Sequence, residues 1–253
     1  MNIHNVVIVI TGAGKKDADG KPRIGNALAK HLASQGAKIL IHYASSANDA
    51  LATVDEIHHN GGDAVAFQAD LSDSDSGARI LQKAREYFGQ SVQVLINAAA
   101  LFPTDDILTC SAESLVQSMS IMTISPVLAM QALAKDLPDH MSGVIVNIID
   151  ARIGTKPYHD HYSYSLAKAA LLEATKVAAV QLASRNIRVV SISPGAILQA
   201  AGKSKDHHTQ VVQAVPLGRE GGTESIIKAV ISLIDNDFIT GTNTVVDGGM
   251  TLT

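Results

Sequence analysis

Cysteine, tryptophan and other aromatic residues are scarce in this chain of 253 residues. It has one cysteine and no tryptophan, and aromatic side chains make up 4% of it. The single cysteine, Cys110, excludes an intrachain disulfide framework and a cysteine-rich zinc site. The core must therefore be aliphatic and rich in alanine, and a hydrophobic content of 46% is enough for one large domain with such a core, or two small ones.

Long apolar runs and an excess of positive charge are also missing. The longest runs, such as residues 6–10, are far shorter than the roughly 18 residues that a transmembrane helix needs. The beginning of the chain has no basic segment with a cleavage site, so we expect no signal peptide. A net charge of −4 argues against binding to nucleic acid or to an anionic membrane surface. We therefore expect a cytoplasmic globular protein.

Short aliphatic runs alternate with segments of helical spacing along the chain. Most of the runs are unbroken, which is typical of strands buried on both faces of a parallel sheet. Strands are predicted over residues 6–10, 38–42, 64–67, 92–96, 144–149, 187–192 and 244–246, and long helices over 112–137, 162–184 and 223–234. No linker divides the chain. The sequence predicts a single α/β domain over residues 1–253, a doubly wound parallel sheet of Rossmann type with helices on both faces.

Glycines follow the first predicted strand and open the first predicted helix. The residues at these positions are Gly12, Gly14, Lys15, Arg23, Ile24 and Gly25. Glycines let the backbone approach a pyrophosphate, which then lies at the positive end of the helix dipole. Their place between strand and helix favours a dinucleotide-binding loop, and a plain structural turn is the alternative. Residues 16–22 make this loop longer than a compact phosphate turn, and we interpret them as a solvated turn.

The end of the second strand indicates which dinucleotide is bound. An acid there would bind a ribose 2′-hydroxyl and repel a 2′-phosphate, but the residues are His42, Tyr43, Ser45 and Ser46. Serine hydroxyls can donate to a phosphate, and Lys15 or Arg23 can add positive charge, so the sequence predicts NADP(H). Ser46 can also cap the next helix. Asp70 and Leu71, after the third strand, are predicted to contact the adenine, with helix capping as the alternative for Asp70.

Three residues form a candidate catalytic group. Tyr164 and Lys168 are four residues apart and share one face of a predicted helix. A neighbouring ammonium stabilises a phenolate and lowers the pKa of the tyrosine from about 10 toward neutrality, which makes Tyr164 a proton donor to a carbonyl or imine. Asp150 ends the fifth predicted strand, at the edge where ligands bind in open α/β sheets.

The motifs of the chain resemble, in order, those of the short-chain dehydrogenase/reductase family. They are Thr11-Gly12-Ala13 with Arg23-Ile24-Gly25, Asp70-Leu71, Asn97-Ala98-Ala99-Ala100, Tyr164 to Lys168, Pro194-Gly195 and Val246-Asp247-Gly248-Gly249. The resemblance covers essentially the whole chain. It implies further cofactor contacts: from Asn97, Ala98 and Ala99, from Lys168 to the nicotinamide ribose, and from Pro194, Gly195 and Ile197 beside the nicotinamide.

Within that family the chain is most similar to the pteridine reductases. Asp150 stands where most members carry a catalytic serine, and Arg23 takes the second glycine position of the phosphate loop. This resemblance implies NADPH-dependent reduction of a dihydropterin or dihydrofolate, with Tyr164 as the proton donor. Asp150 would then bind the pterin ring or pass a proton to Tyr164. Arg23 and Phe102 would contact the substrate, where Phe102 either stacks on the pterin or packs in the core.

Departures from the family pattern keep other functions open. Residues 16–22 are an insertion. In the motif that begins at Asn97, Ala98 stands where the family has a second asparagine. Met122 stands where the family commonly has an asparagine that supports a proton-relay water, a hydrogen bond that methionine cannot make. Thr123 is one candidate replacement. The alternatives are a short-chain carbonyl reductase, such as a 3-oxoacyl thioester reductase, and a cofactor-binding protein with little turnover.

The remaining expectations concern assembly, a mobile loop and metals. The family resemblance implies a homotetramer formed by pairing of the long helices. The residues expected between subunits are Leu171, Ala174, Val177 and Val180. Residues 199–210 are rich in polar residues and glycine and are predicted as a substrate loop that acts as a lid. Histidine pairs such as His159 and His161 lack carboxylates at ligand spacing, so we expect no metal site.

Overall fold

A computed structural model describes residues 1–16, 20, 22–199 and 205–253 of the chain. In this part, seven parallel strands form one sheet in the order β3-β2-β1-β4-β5-β6-β7. The strands are β1 (Val7–Thr11), β2 (Lys38–Tyr43), β3 (Asp63–Gln68), β4 (Val92–Asn97), β5 (Gly143–Ile148), β6 (Ile187–Pro194) and β7 (Asn243–Val246). The predicted doubly wound parallel sheet is confirmed.

Helices connect the strands and cover the sheet. They are α1 (Ile24–Ser34), α2 (Ala47–His59), α3 (Ser76–Phe88), α4 (Ala112–Met119), α5 (Ser125–Asp136), α6 (Tyr162–Leu182), α7 (Lys205–Gln213) and α8 (Gly222–Asp235). Short 3-10 turns follow at Ala183–Arg185 and Met250–Leu252. Helix ends follow ordinary rules: the Ser111 hydroxyl accepts from the Ser114 amide to cap α4, and Gly89 ends α3 in a left-handed conformation.

The unbroken apolar strands place their side chains alternately in two cores. On β1, Ile8 and Ile10 pack with α1, α2 and α8, whereas Val7 and Val9 pack with α3, α5 and α6. All four side chains are fully buried. Burial on both faces explains why this strand is apolar at every position instead of alternating with polar residues.

The strand order reverses next to β1, and this reversal positions the candidate site. The chain runs outward from β1 to β2 and β3, then returns to β4 on the other side of β1. In open parallel sheets, ligands bind in the crevice outside the carboxyl ends of the strands at such a switch point. The loops that follow β1, β4, β5 and β6 therefore contribute the candidate site residues.

The predicted helix over residues 112–137 contains a π-helical turn, Ser120–Ile124, between α4 and α5. In it, the Ser125 amide donates to the Ser120 carbonyl. Pro126 gives a physical reason for this turn. In a continuous α-helix, Pro126 would have no N–H for the Met122 carbonyl, and its ring would clash with that carbonyl.

The stretch Ala112–Asp136 is long and apolar enough, by length and composition alone, to cross a membrane. A search for unbroken apolar runs misses this stretch, because serine, threonine and glutamine interrupt it. In the structure, α4 of this stretch packs against α6, and α5 packs against α3. A core helix has the same length and composition, so the absence of a membrane-spanning segment stays a prediction.

Two predictions need correction. Residues 205–210 of the predicted loop begin helix α7, and residues 200–204 lie outside the described residues. Polar residues such as lysine and glutamine have good helix propensity, so polarity alone does not indicate a loop. Leu171, predicted between subunits, is buried in the chain's own core against Ile153. Val177 and Val180 of the same helix are 47% and 80% exposed, and Ala174 is half-buried.

Candidate active site

The glycine loop after β1 packs closely against its neighbours. Gly12 has a φ of +68°, and a Cβ there would lie 2.6 Å from Cα of Ala99. A Cβ on Gly14 would lie 2.6 Å from Cβ of Tyr43, and one on Gly25 would lie 2.9 Å from Cα of Ala13. Glycine is therefore required at all three positions. The loop can turn tightly, and the N-terminus of α1 can approach it.

His42 holds this loop from behind. Its Nδ1 accepts a hydrogen bond from the Gly12 amide (3.1 Å), and its Nε2 lies 3.0 Å from the Ala69 carbonyl. The ring is neutral in this arrangement, with the proton on Nε2, because burial lowers the pKa of His42. Both nitrogens are used within the protein. His42 therefore shapes the cofactor loop. The sequence predicts that His42 contacts the cofactor, but its ring offers no free nitrogen for such a contact.

The residues predicted to select NADP(H) surround the end of β2 and the start of α1. Ser45 is exposed, and Arg23 is the extended residue that precedes α1. Ser46 precedes α2, but its hydroxyl makes no capping hydrogen bond, so the capping alternative is not realised. The next acid, Asp49, accepts a hydrogen bond from the backbone amide of Lys16. The end of β2 thus carries no carboxylate that would repel a 2′-phosphate.

The insertion after Lys15 is closed at its base by an antiparallel bridge between Lys16 and Pro22. Residues 17–19 and 21 lie outside the described residues. Lys15 itself is exposed directly after the glycine loop.

The segment after β3 contains Asp70 and Leu71, the two residues that are predicted to contact the adenine. Asp70 is exposed, and its Oδ1 accepts hydrogen bonds from the amide and hydroxyl of Ser72, both at 2.8 Å. These bonds lower the pKa of Asp70. Asp70 does not cap α3, which follows Asp75. Leu71 is buried in the core, so its side chain does not lie open to a ligand.

Asn97 at the end of β4 joins two strands and keeps one oxygen unpaired. Its Nδ2 donates to Oδ1 of Asn147 on β5 (2.8 Å), and Asn147 donates to the Thr175 hydroxyl on α6 (2.9 Å). Oδ1 of Asn97 is buried without a hydrogen-bond partner among the described residues. The Ala98 and Ala99 amides share the Thr11 hydroxyl as acceptor, at 3.1 and 3.3 Å. This network fixes the ends of β1, β4 and β5 relative to one another.

Asp150, after β5, is hydrogen-bonded to Tyr164 on α6. The Tyr164 hydroxyl donates to Oδ2 of Asp150 at 2.9 Å. The Tyr158 hydroxyl donates to the same oxygen at 2.9 Å, and the Arg152 amide donates to Oδ1 at 2.8 Å. The sequence brings Asp150 and Tyr164 together correctly. Tyr158 is absent from the sequence prediction, because it lies in a loop that has no periodic pattern.

The proton state of Tyr164 differs from the expectation. Burial and the negative charge of Asp150 raise the pKa of Tyr164, so it stays a protonated phenol. Lys168 is fully buried, and its ammonium donates to the Ile148 carbonyl at 2.6 Å. Burial lowers the pKa of Lys168 to about 8. The expected lowering of the tyrosine pKa by this lysine is therefore wrong, because Asp150 is the hydrogen-bonded neighbour of the phenol.

Asp105 anchors the start of α6 from the loop after β4. Its Oδ1 accepts from the Ser163 amide (3.1 Å), and its Oδ2 accepts from the Ser114 hydroxyl (2.9 Å). Burial opposes its negative charge, but the hydrogen bonds from Ser163 and Ser114 outweigh it and lower the pKa of Asp105. A carboxylate in this place satisfies the first turn of the helix that carries Tyr164 and Lys168.

Met122 lies in the π-helical turn and packs against Tyr164 and Ala167. It is completely buried. The neighbouring Thr123 donates its hydroxyl to the Ala167 carbonyl at 2.7 Å. Thr123 therefore fixes α6 and does not replace the asparagine that Met122 displaces.

Aromatic rings form one wall of the site. Phe102 stacks on His161 with a centroid distance of 3.7 Å and meets Tyr164 edge-on at 4.8 Å. The His161 ring nitrogen Nδ1 lies 2.6 Å from the Pro103 carbonyl, which ties this loop to α6. Phe102 is still 38% exposed. It therefore contributes an apolar ring surface beside Tyr164.

The end of β6 completes the edge of the site. A Cβ on Gly195 would lie 2.7 Å from Cα of Asp247, so only glycine fits between Pro194 and the turn after β7. The Ile197 amide donates to the Gly195 carbonyl at 2.8 Å, and the Ile197 side chain is buried in the core. The backbone of this segment, and not the Ile197 side chain, borders the crevice.

Together these residues fit a dinucleotide. The glycine loop lies between β1 and the N-terminus of α1, the geometry that receives a pyrophosphate. The unpaired buried oxygen of Asn97 and the Lys168 ammonium lie at the same sheet edge. The part of the chain that can be described brings the predicted glycines, Asp150, Tyr164 and Lys168 to this one edge.

Comparisons with known proteins cover the same length. A family model described as enoyl-(acyl carrier protein) reductase matches residues 20–251. A 3-oxoacyl-[acyl-carrier-protein] reductase from Synechocystis sp. is 30% identical over 250 residues, which are 97% of this chain and 97% of that protein.

Solved structures agree closely with the fold. FolM alternative dihydrofolate reductase 1 from Brucella canis, complexed with NADP, has a TM-score of 0.91 at 30% identity, over 100% of this chain and 96% of that one. A blue fluorescent protein from a metagenomic library, in complex with NADPH, has a TM-score of 0.88 at 29% identity, over 99% of both chains. Both neighbours were crystallised with the predicted cofactor.

Proposed function

Because the chain belongs to the short-chain dehydrogenase/reductase family and is an NADP-dependent oxidoreductase, we propose that it reduces a dihydropterin or a dihydrofolate. The observation that carries this proposal is the Asp150 carboxylate, hydrogen-bonded to Tyr164 where a carbonyl reductase of the family would commonly have a serine. A carboxylate can accept hydrogen bonds from the amino group and ring N–H groups of a pterin. The similarity to FolM supports the same substrate class.

The shape of the site also suits a flat heterocycle. Phe102 and Tyr158 meet at right angles with a centroid distance of 5.7 Å, beside Tyr164 and Asp150. An aromatic ring system gains contact with such a wall, and its polar edge can reach the carboxylate. An extended acyl chain would make little use of Asp150.

In the proposed reaction Tyr164 is the general acid. Bound NADPH supplies the hydride to a C=N or C=O carbon. Tyr164 gives its proton to the adjacent hetero-atom, and its raised pKa ensures that the phenol still holds this proton at neutral pH. Asp150 orients the hydroxyl and, being half-exposed, can return a proton from solvent to Tyr164. Lys168, on the same face of α6, balances the negative charge that develops on the phenol oxygen.

A carbonyl reductase is the second candidate, favoured by the Synechocystis relative. Both functions use Tyr164 and Lys168, so they differ in what Asp150 does. A 3-oxoacyl thioester needs only a proton donor at its ketone, whereas a pterin also offers ring nitrogens to the carboxylate.

The experiment is NADPH oxidation by the purified protein with four substrates: dihydrobiopterin, dihydrofolate, an acetoacetyl thioester and a simple quinone. The proposal requires that kcat/KM is highest for one of the two dihydro compounds. A higher value for the thioester would replace it with the carbonyl reductase. If none of the four substrates supports NADPH oxidation, the result would favour a cofactor-binding protein with little turnover. Repeating the best reaction with NADH should lower the apparent affinity for the cofactor by at least about tenfold.

We also propose that the protein is a homotetramer. Helices α4 to α6, with the π-helical turn between α4 and α5, expose large apolar side chains: Val116, Ile124, Val127, Leu166, Val177 and Val180. Such a surface on paired helices is typical of an interface between symmetric copies.

A further inference from the structure

Asp150 receives more donors than its role with Tyr164 requires. Oδ2 accepts two phenol hydroxyls, from Tyr158 and Tyr164, each at 2.9 Å, and Oδ1 accepts the Arg152 amide at 2.8 Å. Tyr164 is the proposed acid, so it must release this bond when its hydroxyl turns to the substrate. Tyr158 has no such second task.

Tyr158 is held in place independently of Asp150. The Arg152 guanidinium lies over its ring, 4.1 Å from the centroid, and also donates to the Lys156 and Pro157 carbonyls at 3.1 and 3.0 Å. On its other sides the ring meets Phe102 and His161 edge-on. These contacts fix the ring, so its hydroxyl stays aimed at the carboxylate.

Among the described residues, few charged and titratable groups face Asp150. The loop after β5 contributes Arg152 and Tyr158, and α6 contributes Tyr164 and Lys168. Of these, Tyr158 alone donates to Oδ2 while Tyr164 bonds to substrate. A carboxylate that keeps one charge-assisted hydrogen bond keeps its orientation more firmly than one that loses its only donor on that oxygen.

We propose that Tyr158 is a positioning residue that keeps the Asp150 carboxylate aimed at Tyr164 throughout turnover. This inference rests on the proposed function, because it takes Tyr164 as the proton donor. It does not depend on which substrate of the panel is reduced. No proton passes through Tyr158 itself, whose own pKa is raised by burial and by the charge of Asp150.

The first test measures kcat and KM of Tyr158→Phe with the best substrate of the panel. The variant keeps the ring and its packing and loses only the donor, so the Asp150 carboxylate can turn away from Tyr164. We expect kcat to fall by about tenfold or more, with KM for NADPH unchanged. Tyr87→Phe, at an exposed ring packed edge-on against Phe88, is the control and should match the wild type. An unchanged kcat in Tyr158→Phe overturns the proposal.

A second test needs no substrate, so it separates failure of this inference from failure of the proposed function. The chain has five tyrosines, whose ionisation can be followed by ultraviolet absorbance. In Asp150→Asn two phenols lose a negative partner, and two tyrosines should ionise at lower pH than in the wild type. In Asp150→Asn with Tyr158→Phe only one should do so. If Asp150→Asn shifts only one tyrosine when Tyr158 is present as well, Tyr158 is not coupled to Asp150, which contradicts the proposal.

Discussion

Lys168 keeps its charge in the folded protein at a cost in stability that can be measured. Burial lowers its pKa from 10.5 to about 8, with the charge of Asp150 acting in the opposite direction. One pKa unit corresponds to about 1.4 kcal/mol, so holding the ammonium inside the core below pH 8 costs about 3 kcal/mol. We expect this cost to serve cofactor binding and charge balance at Tyr164.

The sign of the pH dependence follows from the two pKa values. Between about pH 8 and 10.5 the unfolded chain still binds the lysine proton, whereas the folded protein has released it. The free energy of unfolding attributable to Lys168 therefore rises with pH in this window. Relative to Lys168→Met, the wild type should gain about 2 kcal/mol between pH 7 and pH 9.5.

The assay is urea unfolding of the protein without NADPH at both pH values. At pH 7 the Lys168→Met variant should be at least as stable as the wild type, because the charge penalty outweighs the about 1 to 3 kcal/mol lost when the Ile148 carbonyl has no donor. The control is Lys176→Met, at an exposed lysine of the same helix that pairs with Glu173. Its stability difference from the wild type should not change with pH. If the stability of the wild type relative to Lys168→Met stays constant or falls between pH 7 and pH 9.5, the reasoning is refuted.

Three further predictions address the acid, the cofactor loop and the assembly. Tyr164→Phe should keep the fold and NADPH binding, measured by fluorescence titration, and lose turnover by about 10²-fold or more; unchanged turnover would remove Tyr164 as the acid. The free energy of unfolding should fall as pH drops below 6.5, because the unfolded chain takes the His42 proton before the folded protein does. NADPH affinity should fall only at lower pH, where the folded protein also protonates His42 and the ring can no longer accept from Gly12. His59→Gln, at an exposed histidine, should keep both dependences and His42→Gln should lose them. Light scattering should give four times the chain mass of 26.5 kDa, and Val180→Glu should give a smaller species; a monomer at micromolar concentration would contradict the tetramer.

Local pattern predicts much of this fold because the sheet is buried on both faces. Short aliphatic runs mark every strand, most of them unbroken, and observed strand ends lie within two residues of the predicted ones. The glycines after β1 are also readable from sequence, since a left-handed turn and a close approach at Gly12 tolerate no side chain. Asp150 and Tyr164 are predictable as neighbours because both lie at the carboxyl edge of the sheet.

What the sequence does not predict depends on contacts between distant segments. The Ile148 carbonyl that binds Lys168 is a backbone group, and backbone acceptors leave no trace in a residue pattern. Asp105 satisfies the start of α6 across a gap of 58 residues. Tyr158 reaches Asp150 through an irregular loop. Burial and the charge of Asp150 reverse the expected direction of the Tyr164 pKa, which no spacing rule anticipates.

Hydride transfer to a pterin is the central claim, and isotopic labelling tests it most directly. NADPH that carries deuterium at both C4 positions would be incubated with the protein and dihydrobiopterin. The molecular mass of the pterin product would then be measured by mass spectrometry. We predict a tetrahydropterin that has gained one deuterium for each NADPH oxidised, and no such product with Tyr164→Phe over the same time. An unlabelled pterin, together with a deuterium-labelled hydroxyacyl thioester from the parallel reaction, would contradict the claim.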